Sequence, residues 1–361
     1  MGTNMHEGAV SSRPKVSVVM AVYNEQPYLE KAVQSVLDQT FGDFEFIIVN
    51  DGSTDGSKEV LEWFKGVDDR IQLVHQENRG RPASLNRAIE VARGEYIARM
   101  DGDDISHPKR FERQVQYLDE NPKVGILGTQ VKKIDADGVS RWRWSLPTNP
   151  DVIAWRLLFN TCICHPTIMA RRSIILDLDG YSEWASHADD YELWSRAVLE
   201  TRIANLQGRF LKFRRHEDAV TVKKREEQIR ICAEAAATLH RAILGSSADE
   251  QIARFLVWMD TKSIEEAIRK TGVKDFSSIH EYLHVLYKKC AHRFFRDGSN
   301  TRIQRRALRK LDTVANKVLK YNGTKKGVYY KVKSWYIIPL KDIILVVMES
   351  IISRLKNNFK V

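Results

Sequence analysis

Apolar residues fall into short unbroken blocks over the first hundred positions, and each block is followed by helical spacing. Lys15 to Tyr23, KVSVVMAVY, is a nearly continuous apolar, β-branched run. That pattern suits a parallel strand buried on both faces. Asn24-Glu25-Gln26-Pro27 breaks it, and Tyr28 to Gln39 then sets Leu29, Ala32, Val33, Val36 and Leu37 on one helical face. A second strand, Phe44 to Val49, runs into the turn-rich stretch Asn50 to Gly56. A helix over Lys58 to Phe64, a strand over Ile71 to His75, a loop at Arg79 to Pro82, a helix over Ala83 to Ala92 and a strand from Tyr96 follow. This strand–helix alternation predicts an α/β fold, Rossmann-like, with a mostly parallel sheet and helices on both faces. From about Glu217 the pattern turns helical throughout, over Arg225 to Leu244, Gln251 to Met259, Ile264 to Lys270 and Ile279 to Phe295. The expected division is a lead-in over 1–14, an α/β domain over 15–220 and a helical extension over 221–361.

The chemistry concentrates where the fourth strand ends. Glu95 to Pro108 reads EYIARMDGDDISHP, so a strand runs straight into Asp101, Asp103 and Asp104. Three carboxylates in so short a stretch repel one another unless a cation neutralises them, and hard cations such as Mg²⁺ and Mn²⁺ prefer oxygen ligands. Open α/β sheets bind ligands beyond the carboxyl ends of their strands. The plain alternative is an acidic loop capping the helix after Pro108. Asp51 ends the second strand in the same way; a carboxylate there can accept from a base or ribose, and DGSTDGS equally suits a turn or helix cap. No G-x-G-x-x-G follows the first strand and no G-x-x-x-x-G-K-[ST] occurs, so dinucleotide-fold and P-loop readings lose their main support.

Charge divides the chain. Net charge is +10 over 361 residues, but residues 221–361 carry 29 Lys and Arg against 14 Asp and Glu. Such asymmetry points to different partners for the two parts. Four cysteines show neither a disulfide framework nor a second pair to complete a zinc site with Cys162-x-Cys164, which favours a reducing cytoplasm. The first residues lack the apolar core of a signal peptide.

The order of motifs carries more than any one of them. VSVVMAVYNE, IIVNDGSTDGS, NRGRPASLNRAI, ARGEYIARMDGDD, FNTCICHPTIMARRSI, GYSEWASHADDYELWSRA and FRRHEDAVT follow one another from Lys15 to Thr221. In order and approximate spacing this resembles the family 2 glycosyltransferases of GT-A fold. The resemblance implies an enzyme that moves a sugar, with inversion, from a nucleotide-sugar donor (UDP-, dTDP- or GDP-linked) to an acceptor hydroxyl. It implies a nucleobase region at Ala21, Tyr23 and Glu25, base reading by Asp51, and approach to base or phosphates by Arg81 and Asn86. It implies a D-x-D pair, Asp101 and Asp103, for ribose and a divalent Mn²⁺ or Mg²⁺, with His216 as a further metal or diphosphate ligand. The general base matches Asp190 in ADDYELW, preceded by Asp189 where the family usually has Glu. His165, Asp189 and Trp194 fall on the acceptor side. Arg214 and Arg215 stand close enough in sequence to His216 to suggest phosphate contact. Of Trp142, Trp144, Trp155 and Trp184, most are expected in the core rather than stacked on sugar.

A sugar hydroxyl is a poor nucleophile, so a carboxylate must take its proton as the new bond forms. A divalent ion stabilises the charge that builds on a departing nucleoside diphosphate. Asp189 beside Asp190 raises the pair's proton affinity by like-charge repulsion, while two acids before Tyr191, Leu193 and Trp194 also suit a helix N-terminus. In residues 301–361, 15 Lys and Arg face 3 Asp and Glu, with Trp335, Tyr336 and the apolar run Ile343 to Met348. That run is too short to span a bilayer, but the segment fits an amphipathic helix on an anionic membrane surface. The expected location is cytoplasmic, on the inner face of the membrane, with a saccharide or lipid-linked saccharide as acceptor and no nucleic acid. Two other classes fit the sequence less well. A sugar-1-phosphate nucleotidyltransferase is expected to carry a Gly-rich, Arg-containing loop after the first strand, which AVYNEQP is not. A silent carbohydrate-binding protein has no need of intact Asp101, Asp103 and Asp190.

Overall fold

The computed structural model describes residues 13–215, 224–273 and 276–294. A nine-stranded sheet organises the first part of the chain: β1 (Val16–Val22), β2 (Phe44–Asp51), β3 (Ile71–Gln76), β4 (Tyr96–Arg99), β5 (Ile105–Ser106), β6 (Val124–Ile134), β7 (Ser140–Trp144), β8 (Met169–Arg171) and β9 (Arg202–Arg214). Their order is β3-β2-β1-β4-β8-β6-β9-β5, with β7 paired to β6. The first four strands are mutually parallel. Past β4 the pairing turns antiparallel to β8 and onward to β6, while β9 runs parallel to β6 and antiparallel to β5. The sheet is therefore mixed, and the parallel order expected from the sequence belongs to its first half.

Helices α1 (Gln26–Leu37), α2 (Ser57–Val67), α3 (Arg81–Val91), α4 (Arg110–Glu120), α5 (Pro150–Leu157), α6 (Arg172–Asp177) and α7 (Asp189–Glu200) connect or follow the strands. Side chains alternate faces along a strand. Val16, Val18, Met20 and Val22 of β1 share one core with Leu29, Val33 and Val36 of α1, Leu61 and Phe64 of α2, and Phe111 and Leu118 of α4. Val19, Ile47 and Val49 are buried on the opposite face, where α3 lies against β1 and β2. Burial on both faces is why these strands read as unbroken apolar runs. Pro27 sits in the first turn of α1 and Pro82 in that of α3, where a missing N–H costs no helical bond.

The described residues form two compact units. One holds the chain up to Thr148 and from Ile163 to residue 215; the other holds Asn149–Cys162 and the chain from Lys224 onward. The second unit contains α5 and helices α8 (Arg225–Leu244), α9 (Glu250–Thr261), α10 (Ile264–Thr271) and α11 (Phe276–Phe294). It thus takes in a segment, 149–162, that lies inside the α/β domain as the sequence divides it. His240, fully buried on α8, ties this unit together, with Nδ1 2.8 Å from the Tyr282 hydroxyl and Nε2 2.9 Å from the Leu158 carbonyl. Among the described residues no helix is long and apolar enough to cross a membrane. His216 and the basic segment 301–361 lie outside the described residues.

Candidate active site

The site is built on the carboxyl ends of β1, β2 and β4. Directly after β4 the chain turns through Asp101, Asp103 and Asp104, whose ligand oxygens lie within 4.8 Å of one another. Arg99, at the end of β4, forms an ion pair with Asp101 and is itself only 1% exposed. Asp104 is buried; one carboxylate oxygen accepts from the Arg214 backbone N–H at 2.7 Å and the other, Oδ2, has no hydrogen-bond partner among the described residues. The Arg214 guanidinium donates to the carbonyls of Asp103 (2.7 Å), Asp135 (3.1 Å) and Ala136 (2.7 Å) and lies over the Tyr28 ring. Arg214 therefore ties the acidic loop to the turn that follows β6.

Glu25, at the start of α1, belongs to this cluster. Its Oε2 is buried without a partner among the described residues. Burial first, then Asp103 and Asp101, push the Glu25 carboxyl well above the usual range. Asp104 is raised by burial and by the same two neighbours. Two buried carboxylate oxygens with nothing to bond, set beside two more carboxylates, are the donor set of a hard divalent cation. The residues fit such an ion, and they add Glu25 to the Asp101, Asp103 and Asp104 named from the sequence.

Ala21 and Tyr23 lie at the end of β1, and Tyr23 is open to solvent. Asp51 closes β2, buried, with Oδ1 accepting from Gln76 Nε2 (2.8 Å) and Arg79 N (2.8 Å) and Oδ2 from Gly80 N (2.9 Å). It anchors the loop into α3; Oδ2 keeps one acceptor direction for a ligand. Gly80, at φ 87, takes the backbone conformation that glycine allows there. Arg81, the first residue of α3, reaches over to Asp189 and forms a two-point ion pair with that fully buried carboxylate. The Arg81 guanidinium is thus bound to the loop of the expected base. Asn86 donates to the Tyr181 carbonyl and accepts from the Tyr181 N–H, both at 2.8 Å. Its amide holds the 180–181 turn.

Asp190 stands in the first turn of α7 beside Asp189. Burial, then the Asp189 charge, push its carboxyl up to about 6. His165 and Trp194 are buried beneath it: His165 Nε2 lies 2.8 Å from the Tyr181 hydroxyl, and its ring meets Trp194 edge-on at 5.8 Å. Burial, then Arg99 and Arg81, pull the His165 pKa well down, so it is neutral. Trp194 is fully buried with Nε1 unpartnered among the described residues. These two pack against each other in the interior. Trp155 is buried in the second unit, whereas Trp184 is 56% exposed.

Sequence reasoning missed two buried arginines, Arg99 and Arg110, and did not place Arg214 in the interior. Arg99 and Arg214 are described above. Arg110 is fully buried, donating to the Arg99 (2.7 Å) and Ile168 (3.1 Å) carbonyls and to Gln114, and burial lowers its pKa to about 9. Charged residues are so rarely buried that each reads as solvated in a sequence.

The fold is shared with known proteins. The S. aureus TarS structure of residues 1–349 in complex with UDP-GlcNAc superimposes over 89% of both chains with a TM-score of 0.55 at 17% identity, and the fold is of GT-A type. The chain is 33% identical over 205 residues to the O-antigen biosynthesis glycosyltransferase WbnJ of Escherichia coli, covering 56% of this chain and 80% of that protein. It is 37% identical over 215 residues to EpsE of Bacillus subtilis strain 168, named as a glycosyltransferase, covering 58% and 76%. Fold and sequence together define a glycosyltransferase. The match to Glycosyl transferase family 2 spans residues 17–178, and the chain belongs to that family.

Proposed function

We propose that the protein is an inverting, metal-dependent glycosyltransferase that moves a sugar from a nucleotide-sugar donor to an acceptor hydroxyl in surface-polysaccharide assembly. The observation that carries this reading is the separation of two carboxylate centres on one domain. Asp101, Asp103 and Asp104 form one, with Glu25 beside them against Gly102, and two buried oxygens of this centre have no partner among the described residues. Asp190, with its raised proton affinity, forms the other at the start of α7. The names of relatives support the assembly role, since WbnJ is an O-antigen biosynthesis enzyme. TarS with UDP-GlcNAc supports a nucleotide-sugar donor.

Asp101 and Asp103 would hold Mn²⁺ or Mg²⁺, with Glu25 and Asp104 completing the oxygen set. A bound divalent ion supplies charge stabilisation to a departing nucleoside diphosphate. Asp51 positions the loop that begins α3 and offers its remaining Oδ2 direction to a donor base. Asp190 takes the proton from the acceptor hydroxyl as that oxygen attacks C1. Asp189 and Arg81 fix the loop from which Asp190 projects. Displacement from the face opposite the leaving group inverts the anomeric centre. Release of nucleoside diphosphate from UDP-, GDP- and dTDP-sugars with Mn²⁺ or EDTA tests the reading. Metal-dependent release from one donor supports it. Release unaffected by EDTA and by Asp103→Ala would sink the metal role.

A further inference from the structure

Arg99 holds an unspent set of hydrogen bonds. An arginine has five N–H donors and no acceptor. Nη2 pairs with Asp101, but Nε and Nη1 have no partner among the described residues, although the side chain is 1% exposed. Buried polar groups in native proteins are nearly always satisfied, and a charged one without partners points to a ligand that is not part of the chain. The residue cannot easily swing away. Its N–H donates to the Ile168 carbonyl at 3.0 Å, and its carbonyl accepts from the buried Arg110 at 2.7 Å.

Position identifies the ligand. The ion pair with Asp101 puts the guanidinium at the acid cluster. Its charge also acts on Tyr181 and Asp190, offsetting part of what burial does to both. The Arg99 backbone N–H also holds Ile168, three residues past His165, whose ring meets Trp194 of α7, so Arg99 lies on the path of contacts from the acid cluster to the helix that carries the base. In a single displacement the diphosphate leaves at one end of that path and the acceptor is deprotonated at the other, so the donor's sugar ring occupies the space between. We infer that Arg99 grips an oxygen substituent of the donor sugar and is a specificity-determining residue for it. The inference rests on the proposed transferase reading. A hydroxyl, an N-acyl carbonyl or a carboxylate offers the acceptor that Nε and Nη1 lack; a deoxy position does not.

Calorimetry with Mn²⁺ tests it, comparing UDP with UDP-GlcNAc, GDP with GDP-mannose and dTDP with dTDP-glucose. Arg99→Lys keeps a cation beside Asp101 but gives up the two unpartnered nitrogens. The expected result is nucleoside diphosphate binding within about threefold of wild type and nucleotide-sugar binding weakened about tenfold or more. Equal loss for both ligands would assign Arg99 to the diphosphate or the metal, and no loss for either would make it a counter-ion alone; each overturns the inference. A wild-type series of donors lacking one sugar hydroxyl or N-acyl group at a time needs no variant to fold. One deoxy position should cost about tenfold or more, and indifference across the series overturns the assignment. Wild-type protein that binds no nucleotide with Mn²⁺ would defeat the proposed function itself. Nucleotide binding with an unchanged sugar contribution defeats this inference alone.

Discussion

Asp190 carries its reactivity through its surroundings. Burial and the neighbouring Asp189 lift its carboxyl to about 6, so it is ionised and able to accept a proton above that pH. The limb of kcat/KM should therefore rise through about pH 6 to a plateau. Replacing Asp189 by Asn removes the like charge and frees Arg81, which lowers the Asp190 pKa. Both changes act in one direction, so the limb should move to lower pH in Asp189→Asn. A limb that stays in place in that variant would mean that another group governs it. Residues of this kind were legible in the sequence only in part. Asp101, Asp103 and Asp190 stand in motifs whose order is distinctive. Glu25 could be placed near the site but not in the acid cluster, because only the turn into α1 brings its carboxylate to Asp101 and Asp103.

At the scale of elements, two side chains fix the loops that hold the acids. Asn86 holds the Gly180–Tyr181 turn through two 2.8 Å bonds. Asn86→Ala should cost about 2 kcal/mol in chemical denaturation and lower kcat, while leaving Mn²⁺ affinity unchanged. Arg214 ties the acidic loop, through the Asp103 carbonyl, to the carbonyls of Asp135 and Ala136 after β6. Arg214→Ala should cost about 3 kcal/mol and weaken Mn²⁺ binding, because Asp103 and Asp104 lose their frame. If Asn86→Ala weakened metal binding while Arg214→Ala spared it, these assignments would be reversed. The first four strands were readable because burial on both faces leaves a continuous apolar run. The other half of the sheet was not. β5 has two residues and β8 three, too few for a periodic signal, and β9 mixes buried with exposed positions over 13 residues.

For the whole molecule, the strand order brings three strand ends and the start of α7 into one unit, and the chemistry depends on that unit being folded. A ligand that binds the folded state alone stabilises it by mass action, about 2.7 kcal/mol at a concentration one hundred times its Kd. Mn²⁺ with the matching nucleoside diphosphate should therefore raise the melting temperature, and EDTA should abolish the rise. Deleting core volume should act elsewhere: Phe46→Ala, at a fully buried β2 position, should cost about 3–5 kcal/mol. The division into an α/β part and a helical part was visible as a change in periodicity. The place of 149–162 in the helical unit was not, since it requires the chain to leave the first unit and return to it.

The central claim is that metal-assisted donor binding and proton abstraction reside in separate carboxylate centres. Asp190→Asn tests it most directly, with nucleoside diphosphate binding and sugar transfer measured on the same preparation. The account predicts Mn²⁺-dependent binding close to wild type and turnover reduced by about 10²–10⁴-fold. Turnover close to wild type, or loss of binding together with turnover in a folded protein, would contradict it.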